Sequence, residues 1–333
     1  MSSKMKAVVM NGFGSAEVLH LGIVERPTPN DTQVLIQVGA TSVNRPDIVQ
    51  REGNYPPSPG ESDVLGLEVA GTVIELGKDV TDWRLGDRVV ALVGGGGYAQ
   101  FAIAYADHLI RIPESMSFQE AACICESYIT AYLNLFRIAG LRNGQSVLLH
   151  GGGGGVNTAA VHICHALVPE ATVIVTTSSR KVELVRALGV ASVIDYQKQD
   201  FTEEVKRITQ GRGVDVILDH IGAAYLTSNM KALAMEGTLV IIGVMSGARA
   251  ELNLAAMMVK CQRVVGSVLR RRSISEKAEI IADFTRVVIP FMTSREIIPS
   301  IHQVLPLEEA AVAHRIMEAS AHFGKIVLQV DFS

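Results

Sequence analysis

The sequence predicts an α/β protein in which a doubly wound parallel sheet is inserted into a discontinuous, mostly β domain. Three observations carry this reading. Short apolar runs bounded by turn residues dominate roughly the first hundred residues. From 145 to 269, apolar runs alternate with helical patterning, as in a parallel sheet covered on both faces. Beyond about 295 the chain returns to a strand, a helix and a strand. The expected division is 1–126 plus 295–333 for the first domain and 127–294 for the inserted one, in keeping with ~150 residues per domain.

Each element has a local cause. Strands are expected at 7–10, 34–38, 66–76 and 88–93, punctuated by Gly66, Gly71, Gly77 and Gly86. Apolar residues fall at helical spacing over 117–139, with a break around 123–127. An apolar strand at 146–150 runs into a glycine tract and a helix at 156–167. A β-branched run follows at 171–176, and then a helix at 179–188 that stops at Gly189. Strands at 191–195, 215–219 and 238–244 alternate with helices at 200–210 and 224–235. The run at 263–269 closes the series as an edge strand. The tail reads as a helix at 307–319 and a strand at 325–330.

Composition narrows the function classes. Thirty basic and 34 acidic residues leave a net charge of −4, which argues against nucleic-acid partners and against an acidic tail. No apolar stretch reaches the ~18 residues of a membrane span, so no membrane partner is expected. The first ten residues contain no signal-peptide apolar region, and four cysteines are too few for a disulfide framework. A cytoplasmic location is the expectation.

The glycine tract is the main functional signal. Gly151-Gly152-Gly153-Gly154-Gly155-Val156-Asn157 joins a strand to a helix. Glycines let the backbone approach a pyrophosphate, and the helix start offers it unpaired N–H groups. Gly152 and Gly154 fill the first two glycine positions of a G-x-G-x-x-G fingerprint, and Asn157 stands at the third. An NAD site expects an acid about 20 residues further on, for the ribose 2′-hydroxyl. The stretch 171–182 has none. It carries Thr177-Ser178-Ser179-Arg180-Lys181, hydroxyls and cations suited to a 2′-phosphate, and so predicts NADPH.

These residues carry a family resemblance over nearly the whole chain. The sequence resembles the zinc-free quinone oxidoreductases of the medium-chain dehydrogenase/reductase superfamily, the zeta-crystallin-like group. It is most similar to the branch induced by a tumour suppressor. The landmarks are Asn44-Arg45-Pro46-Asp47, Gln50 to Pro57, Leu65-Gly66-Leu67-Glu68-Val69-Ala70-Gly71, Gly86-Asp87-Arg88-Val89, Gly95 to Ala99, Thr130-Ala131, Gly213 to Asp219, Leu269 to Arg272 and Gly324 to Leu328. The resemblance implies a Rossmann domain inserted in a GroES-like catalytic domain, with the cofactor in the cleft between them. It implies an NADPH-dependent quinone oxidoreductase. Asn44 and Tyr55 look like substrate-side groups, and Thr130, Val156, Lys181 and Tyr196 like cofactor contacts. With Gly152, Gly154, Gly155, Asn157, Ser179, Arg180, Ile221, Gly243, Val244 and Arg270 they form the expected cofactor set. The family usually has a glycine where Asn157 stands. It often has a second lysine where Val182 stands, with Arg180 as the available substitute.

Zinc-dependent relatives have Gly-His-Glu where this chain has Gly66-Leu67-Glu68, and Leu67 cannot ligate a metal. His162 and His165, three apart, read as surface or packing histidines rather than a metal pair. A metal-free site favours hydride or single-electron transfer to an already electrophilic acceptor over alcohol oxidation. As a quinone is reduced, charge grows on its oxygen, and Tyr55 or the Asn44 amide is placed to stabilise it. Competing readings stand beside these. Tyr55 also reads as a loop aromatic packed on Pro56 and Pro57, and Asn44 as an amide bonded to its own turn. Gly94–Gly97 with Tyr98 reads as a cleft wall or as a plain hairpin, and Arg270–Arg272 as a surface cluster or a phosphate aid. Two other functions fit the same residues: reduction of activated C=C bonds in enals or enones, and NADPH binding without turnover. An apolar edge strand at 263–269 invites pairing with its copy in a homodimer.

Overall fold

The computed structural model describes residues 3–190 and 192–332. Residue 191, the first of an expected strand, lies outside them. The chain divides into two compact units, Met1–Ile129 with Arg270–Ser333, and Thr130–Leu269.

In chain order, the first unit opens with β1 (Lys4–Met10), β2 (Leu19–Glu25) and β3 (Gln33–Val43), followed by helix α1 (Arg45–Arg51). It continues with β4 (Glu68–Leu76), β5 (Arg88–Leu92), β6 (Phe101–Tyr105) and β7 (Leu109–Arg111), then α2 (Phe118–Ala121) and α3 (Cys125–Tyr132), whose last three residues enter the second unit. The second unit holds β8 (Ser146–His150), α4 (Gly155–Leu167), β9 (Thr172–Thr177), α5 (Val182–Arg186), β10 (Ser192–Asp195), α6 (Phe201–Ile208), β11 (Val214–Asp219), α7 (Leu226–Ala232), β12 (Leu233–Ile241), α8 (Leu254–Val259) and β13 (Arg263–Gly266). The first unit resumes with α9 (Ile274–Val287), α10 (Ile289–Thr293), β14 (Ile301–Pro306), α11 (Ala310–Glu318) and β15 (Lys325–Gln329).

The two sheets obey different rules. In the first unit the order is β14-β15-β3-β4-β5-β7, with β6 also paired to β3, and β1-β2 forms a separate ribbon. All the pairings of the larger sheet are antiparallel except β14 with β15. Val34, Ile36 and Val38 of β3, Val69 and Val73 of β4, and Val89 and Ala91 of β5 alternate inward onto one apolar cluster, closed by Ile326, Leu328 and Ala313. In the second unit the order is β10-β9-β8-β11-β12-β13, all parallel. The central β8 is buried along its whole length, as expected of a strand covered on both faces. This is the expected α/β fold: a Rossmann-type sheet inserted in a GroES-like, mostly β domain.

Several expectations need correction. The return to the first unit falls at Arg270, not 295, because α9 packs within it: His108 is hydrogen-bonded to the Ile274 carbonyl (2.9 Å) at its start. The helix expected to 235 stops at Ala232, and β12 starts at once with Leu233 beside Val214. The pairing then shifts register around Glu236, which adopts φ 61°. β12 accordingly ends at Ile241, leaving Gly243 and Val244 in the following loop, and β13 ends at Gly266. Tyr98 lines nothing accessible. It is fully buried, with its hydroxyl donating to Asp47 (3.2 Å) and hydrogen-bonded to His314 (3.2 Å).

Candidate active site

In the second unit the expected cofactor residues other than Thr130 follow the carboxyl ends of the parallel strands, where ligands bind in open α/β sheets. After His150 the chain turns at Gly151 (φ 77°), and the amides of Gly151 and Gly152 both donate to the Thr176 carbonyl of β9 (3.0 and 2.9 Å). Gly154 is the N-cap of α4 and supplies no side-chain cap. The first intrahelical bond runs from Thr158 N to Gly154 O, so the amides of Gly155, Val156 and Asn157 belong to the unpaired first turn. Gly153 is buried beneath Lys181. A Cβ there would lie 2.5 Å from that lysine's Cδ and 2.9 Å from its Nζ. Lys181 thus closes over the loop. Burial and then the Arg180 guanidinium lower its pKa, the surroundings of a cation that an anion would stabilise.

Asn157 is not a gap in the fingerprint. Its side chain is buried, and its amide donates to the carbonyls of His150 (2.6 Å) and Gly151 (3.0 Å), tying the first turn of α4 to the strand end. Its Oδ1 is buried without a partner. His150 is hydrogen-bonded to Thr176 Oγ1 (3.0 Å) and Asn229 Oδ1 (2.8 Å), and burial pushes its pKa down to about 3. Asn229 donates in turn to Asp219, whose Oδ1 accepts the Ile221 amide (2.6 Å). Ile221 is sewn to the next strand end, since its carbonyl accepts from the Ser246 amide (2.7 Å). His220 was not singled out from sequence. It joins these loops, because a Cβ on Gly151 would meet its ring at 2.5 Å and one on Gly243 would meet its Cβ at 3.1 Å.

The expected absence of an acid near Ser179 holds only along the strand. Asp195, from the end of β10, accepts the Ser179 hydroxyl (2.5 Å). That bond is the largest cause holding its pKa down. The carboxylate also accepts the Gln197 amide (3.1 Å) and pairs with Lys198 (3.5 Å). The cations Arg180 and Lys181 follow directly. Tyr196 is exposed beside this edge, its amide donating to Thr177 O (3.1 Å), and Val244 is exposed in the loop after β12. Thr130 lies on α3, where its carbonyl accepts from Asn134 Nδ2 (2.7 Å).

In the first unit, Asn44 belongs to a buried polar network. Its amide donates to Glu68 Oε1 (2.9 Å) and its Oδ1 accepts from Lys325 Nζ (2.5 Å). Glu68 also accepts from Ser42 (2.5 Å), Lys325 (3.0 Å) and the Glu126 backbone N–H (2.9 Å). The Asn44 amide therefore braces the core through Glu68 and Lys325, distant partners that neither reading of it included. Arg270 is likewise built in. Its guanidinium donates to Gln50 Oε1 (2.8 Å), Gly94 O (2.7 Å) and Tyr55 O (3.4 Å), and lies 4.9 Å over the Tyr55 ring. Its two terminal nitrogens serve this scaffold, and its buried Nε has no partner among the described residues. Tyr55 is half-buried under that guanidinium. Burial and then the Glu126 charge raise its phenol pKa, against the opposite pull of Arg270 and Arg271.

Family profiles match both units: "alcohol dehydrogenase GroES-like domain" over residues 30–114 and "zinc-binding dehydrogenase" over 188–328. The mouse (Mus musculus) synaptic vesicle membrane protein VAT-1 homolog-like is 31% identical over 99% of this chain and 82% of its own length. The crystal structure of its human counterpart superposes with TM-score 0.87 at 31% identity, over all of both chains. A mycobacterial quinone oxidoreductase matches at TM-score 0.85 and 28% identity, over 98% of this chain and 99% of its own, and a mycobacterial structure with the same figures is complexed with NADPH. The CurK enoyl reductase matches at TM-score 0.87 and 25% identity, over 99% and 100%. The chain belongs to the medium-chain dehydrogenase/reductase superfamily and is an oxidoreductase of that type.

The zinc in one profile's description does not fit the residues at 67 and 68. Leu67 is a buried apolar side chain, and Glu68 is committed to Ser42, Asn44 and Lys325. Among the described residues no group of three or more His, Cys, Asp or Glu side chains is placed to hold a metal. Among the same residues no helix is long and apolar enough to cross a membrane.

Proposed function

We propose that the protein is an NADPH-dependent quinone oxidoreductase of the zinc-free, zeta-crystallin-like group. The observation that carries this reading is Lys181 lying over the glycine loop at Gly153, with Arg180 beside it. The glycine loop leaves room for a pyrophosphate at Gly154, where a Cβ would meet only the Gly151 carbonyl oxygen at 3.7 Å. When bound, the cofactor supplies a hydride from its nicotinamide. The chain's own residues do the rest. First-turn amides of α4 and the Lys181 ammonium bind phosphate charge, with Ser178 and Arg180 as further donors toward a 2′-phosphate and Ser179 held by Asp195. Ile221, Gly243, Val244 and Tyr196 line the strand ends on either side of the loop. The Tyr55 phenol stays protonated at neutral pH and donates a hydrogen bond to the acceptor oxygen.

Reduction of activated C=C bonds is the second reading, favoured by the likeness to an enoyl reductase. We further propose a homodimer joined along β13, and a cytoplasmic location, in keeping with four free cysteines.

The test is the rate of cofactor oxidation with an ortho-quinone and with an enone, run with NADPH and with NADH. NADPH should be preferred, and Lys181→Ala should lose at least about tenfold of that preference, which is ~1.4 kcal/mol of lost charge pairing. Equal use of both cofactors by the native protein would overturn the NADPH assignment. Faster turnover of the enone would move the reading to C=C reduction.

A further inference from the structure

A cavity of about 460 Å³ lies wholly within the first unit, inside the ~300–1,000 Å³ range of small-molecule sites. One wall explains the glycine run that follows β5. Gly94 and Gly95 have no side chains, so the segment 61–64 lies directly on their backbone. A Cβ on Gly94 would fall 2.0 Å from Glu61 Cδ, and one on Gly95 would fall 2.3 Å from the Ser62 carbonyl oxygen. The wall is pinned at both ends. The Gly96 amide donates to the Val64 carbonyl (2.7 Å), and the Gly94 carbonyl accepts from Arg270 (2.7 Å).

Three more pieces complete the cavity. Along β6, Ala102 and Ala104 enter the core, while Phe101, Ile103 and Tyr105 fall on the other face and line the cavity. The β1-β2 ribbon adds Met5 and Val24, which are partners in register. Helix α9 adds Lys277 from its first turn. That turn is held in place, since the Lys277 amide donates to the Ser273 carbonyl (3.0 Å) and the Ile274 carbonyl is bonded to His108.

Lys277 is the odd member of this lining. Among the described residues that line the cavity it is the only lysine or arginine. It is 8% exposed, and among the described residues its ammonium makes no hydrogen bond or ion pair. Glu61 lines the same cavity, yet its carboxylate does not pair with that ammonium. A cation more than nine-tenths buried, beside an open volume and without a counter-charge in contact, is the anchor of an anion site.

We propose that this cavity binds a monocarboxylate with an apolar body, its carboxylate on Lys277 and its body against Phe101, Ile103 and Val24. The charge of the lining selects the ligand. Glu25, Glu61 and Asp63 also line the cavity, and they repel a second negative charge, so a dicarboxylate or a phosphate is disfavoured. Burial lowers the pKa of Lys277 against the pull of Glu61 and Glu126, and Arg270 adds to the fall. A carboxylate in contact would offset that desolvation. Neither cofactor nor acceptor is needed for this binding.

The experiment uses the full chain without cofactor and takes octanoate as the probe. Calorimetric titration should show octanoate binding at least about tenfold tighter than octan-1-ol, which has the same chain and no charge. Lys277→Met keeps an apolar stem of similar length and should lose at least about tenfold in octanoate affinity. Ile103→Trp, from a half-buried position, should block the cavity and weaken both ligands. A measurement on the native protein accompanies the variants: octanoate should protect Lys277 from acetic anhydride, read by mass spectrometry of its peptide. No octanoate binding, equal binding of octan-1-ol, an unaffected Lys277→Met, or labelling of Lys277 that octanoate leaves unchanged would each overturn the proposal.

Discussion

Asn157 takes the place of a third glycine and closes what a glycine would leave open. Read along the chain, it is only a departure from a fingerprint. In the fold its amide reaches back to the His150 and Gly151 carbonyls, so the loop is held by a side chain. Two buried hydrogen bonds at ~1 kcal/mol each set the scale. Asn157→Ala should lower stability by about 1–3 kcal/mol in guanidinium unfolding and weaken NADPH binding severalfold by fluorescence titration. Asn157→Gly restores the family's residue, and it should weaken binding in the same direction. Tighter binding by the glycine variant would show that the staple does not shape the loop. The glycines, the cations and the absence of an acid along β9 were all legible in order. Asp195 and His220 were not, because each reaches the site from a different strand end. Asn44 and Arg270 carried the right chemistry for a site, and the fold gave the Asn44 amide and the terminal nitrogens of Arg270 to internal acceptors.

Among elements, the strongly periodic ones were readable and the short ones were not. Helix α1 went unread although Asn44 precedes it, Pro46 stands in its first turn and Asp47 accepts the Asn44 amide. Those are start signals, but seven residues are too few to show a period. The boundary between α7 and β12 depends on pairing with Val214, which no local propensity encodes. Helix α8 raises the opposite question. Its sequence, Leu-Ala-Ala-Met-Met-Val, is apolar, yet none of its residues is buried, and Leu254, Met258 and Val259 are largely exposed. It leads into β13, the edge of the six-stranded sheet. An edge strand and an uncovered apolar helix together suit a second copy of the same surface. Light scattering should give twice the chain mass. Met258→Asp combined with Val259→Asp should shift the particle to a single chain, and an unchanged mass in that variant would place the interface elsewhere.

At the scale of the whole molecule, buried titratable groups set how stability follows pH. His150 and His314 are held neutral by burial, with pKa values of about 3, and His162 at about 4. Their folded values lie below the unfolded ~6.5, so the unfolded chain binds more protons in acid. Stability is therefore lost as pH falls from about 6.5 toward 3. Asp47 and Glu126 work the other way. Their folded values, about 6 and about 8, lie above the unfolded ones, so stability declines as pH rises through 4–6 and through 4.5–8 respectively. The guanidinium midpoint should be highest near pH ~6, fall steeply in acid and decline gently to pH ~8. Glu126→Gln should flatten the decline above neutrality. A midpoint constant between pH ~4 and ~6 would mean that the histidines are not held neutral in the folded protein.

By itself the sequence determined the class of fold, the insertion of one domain in the other, the glycine loop and its cations. These are written in periodicity, turn chemistry and residue type, all of them properties of neighbours along the chain. It also determined that position 67 cannot bind zinc, since leucine offers no ligand atom. Only the tertiary structure decided where the inserted domain ends, which polar side chains brace the core, and that Lys181 lies on Gly153. It alone gathered the Ser42, Asn44 and Lys325 donors onto the Glu68 carboxylate. Such outcomes depend on which distant donors the packing delivers to each acceptor, and here Lys325 lies 257 residues along the chain from Glu68.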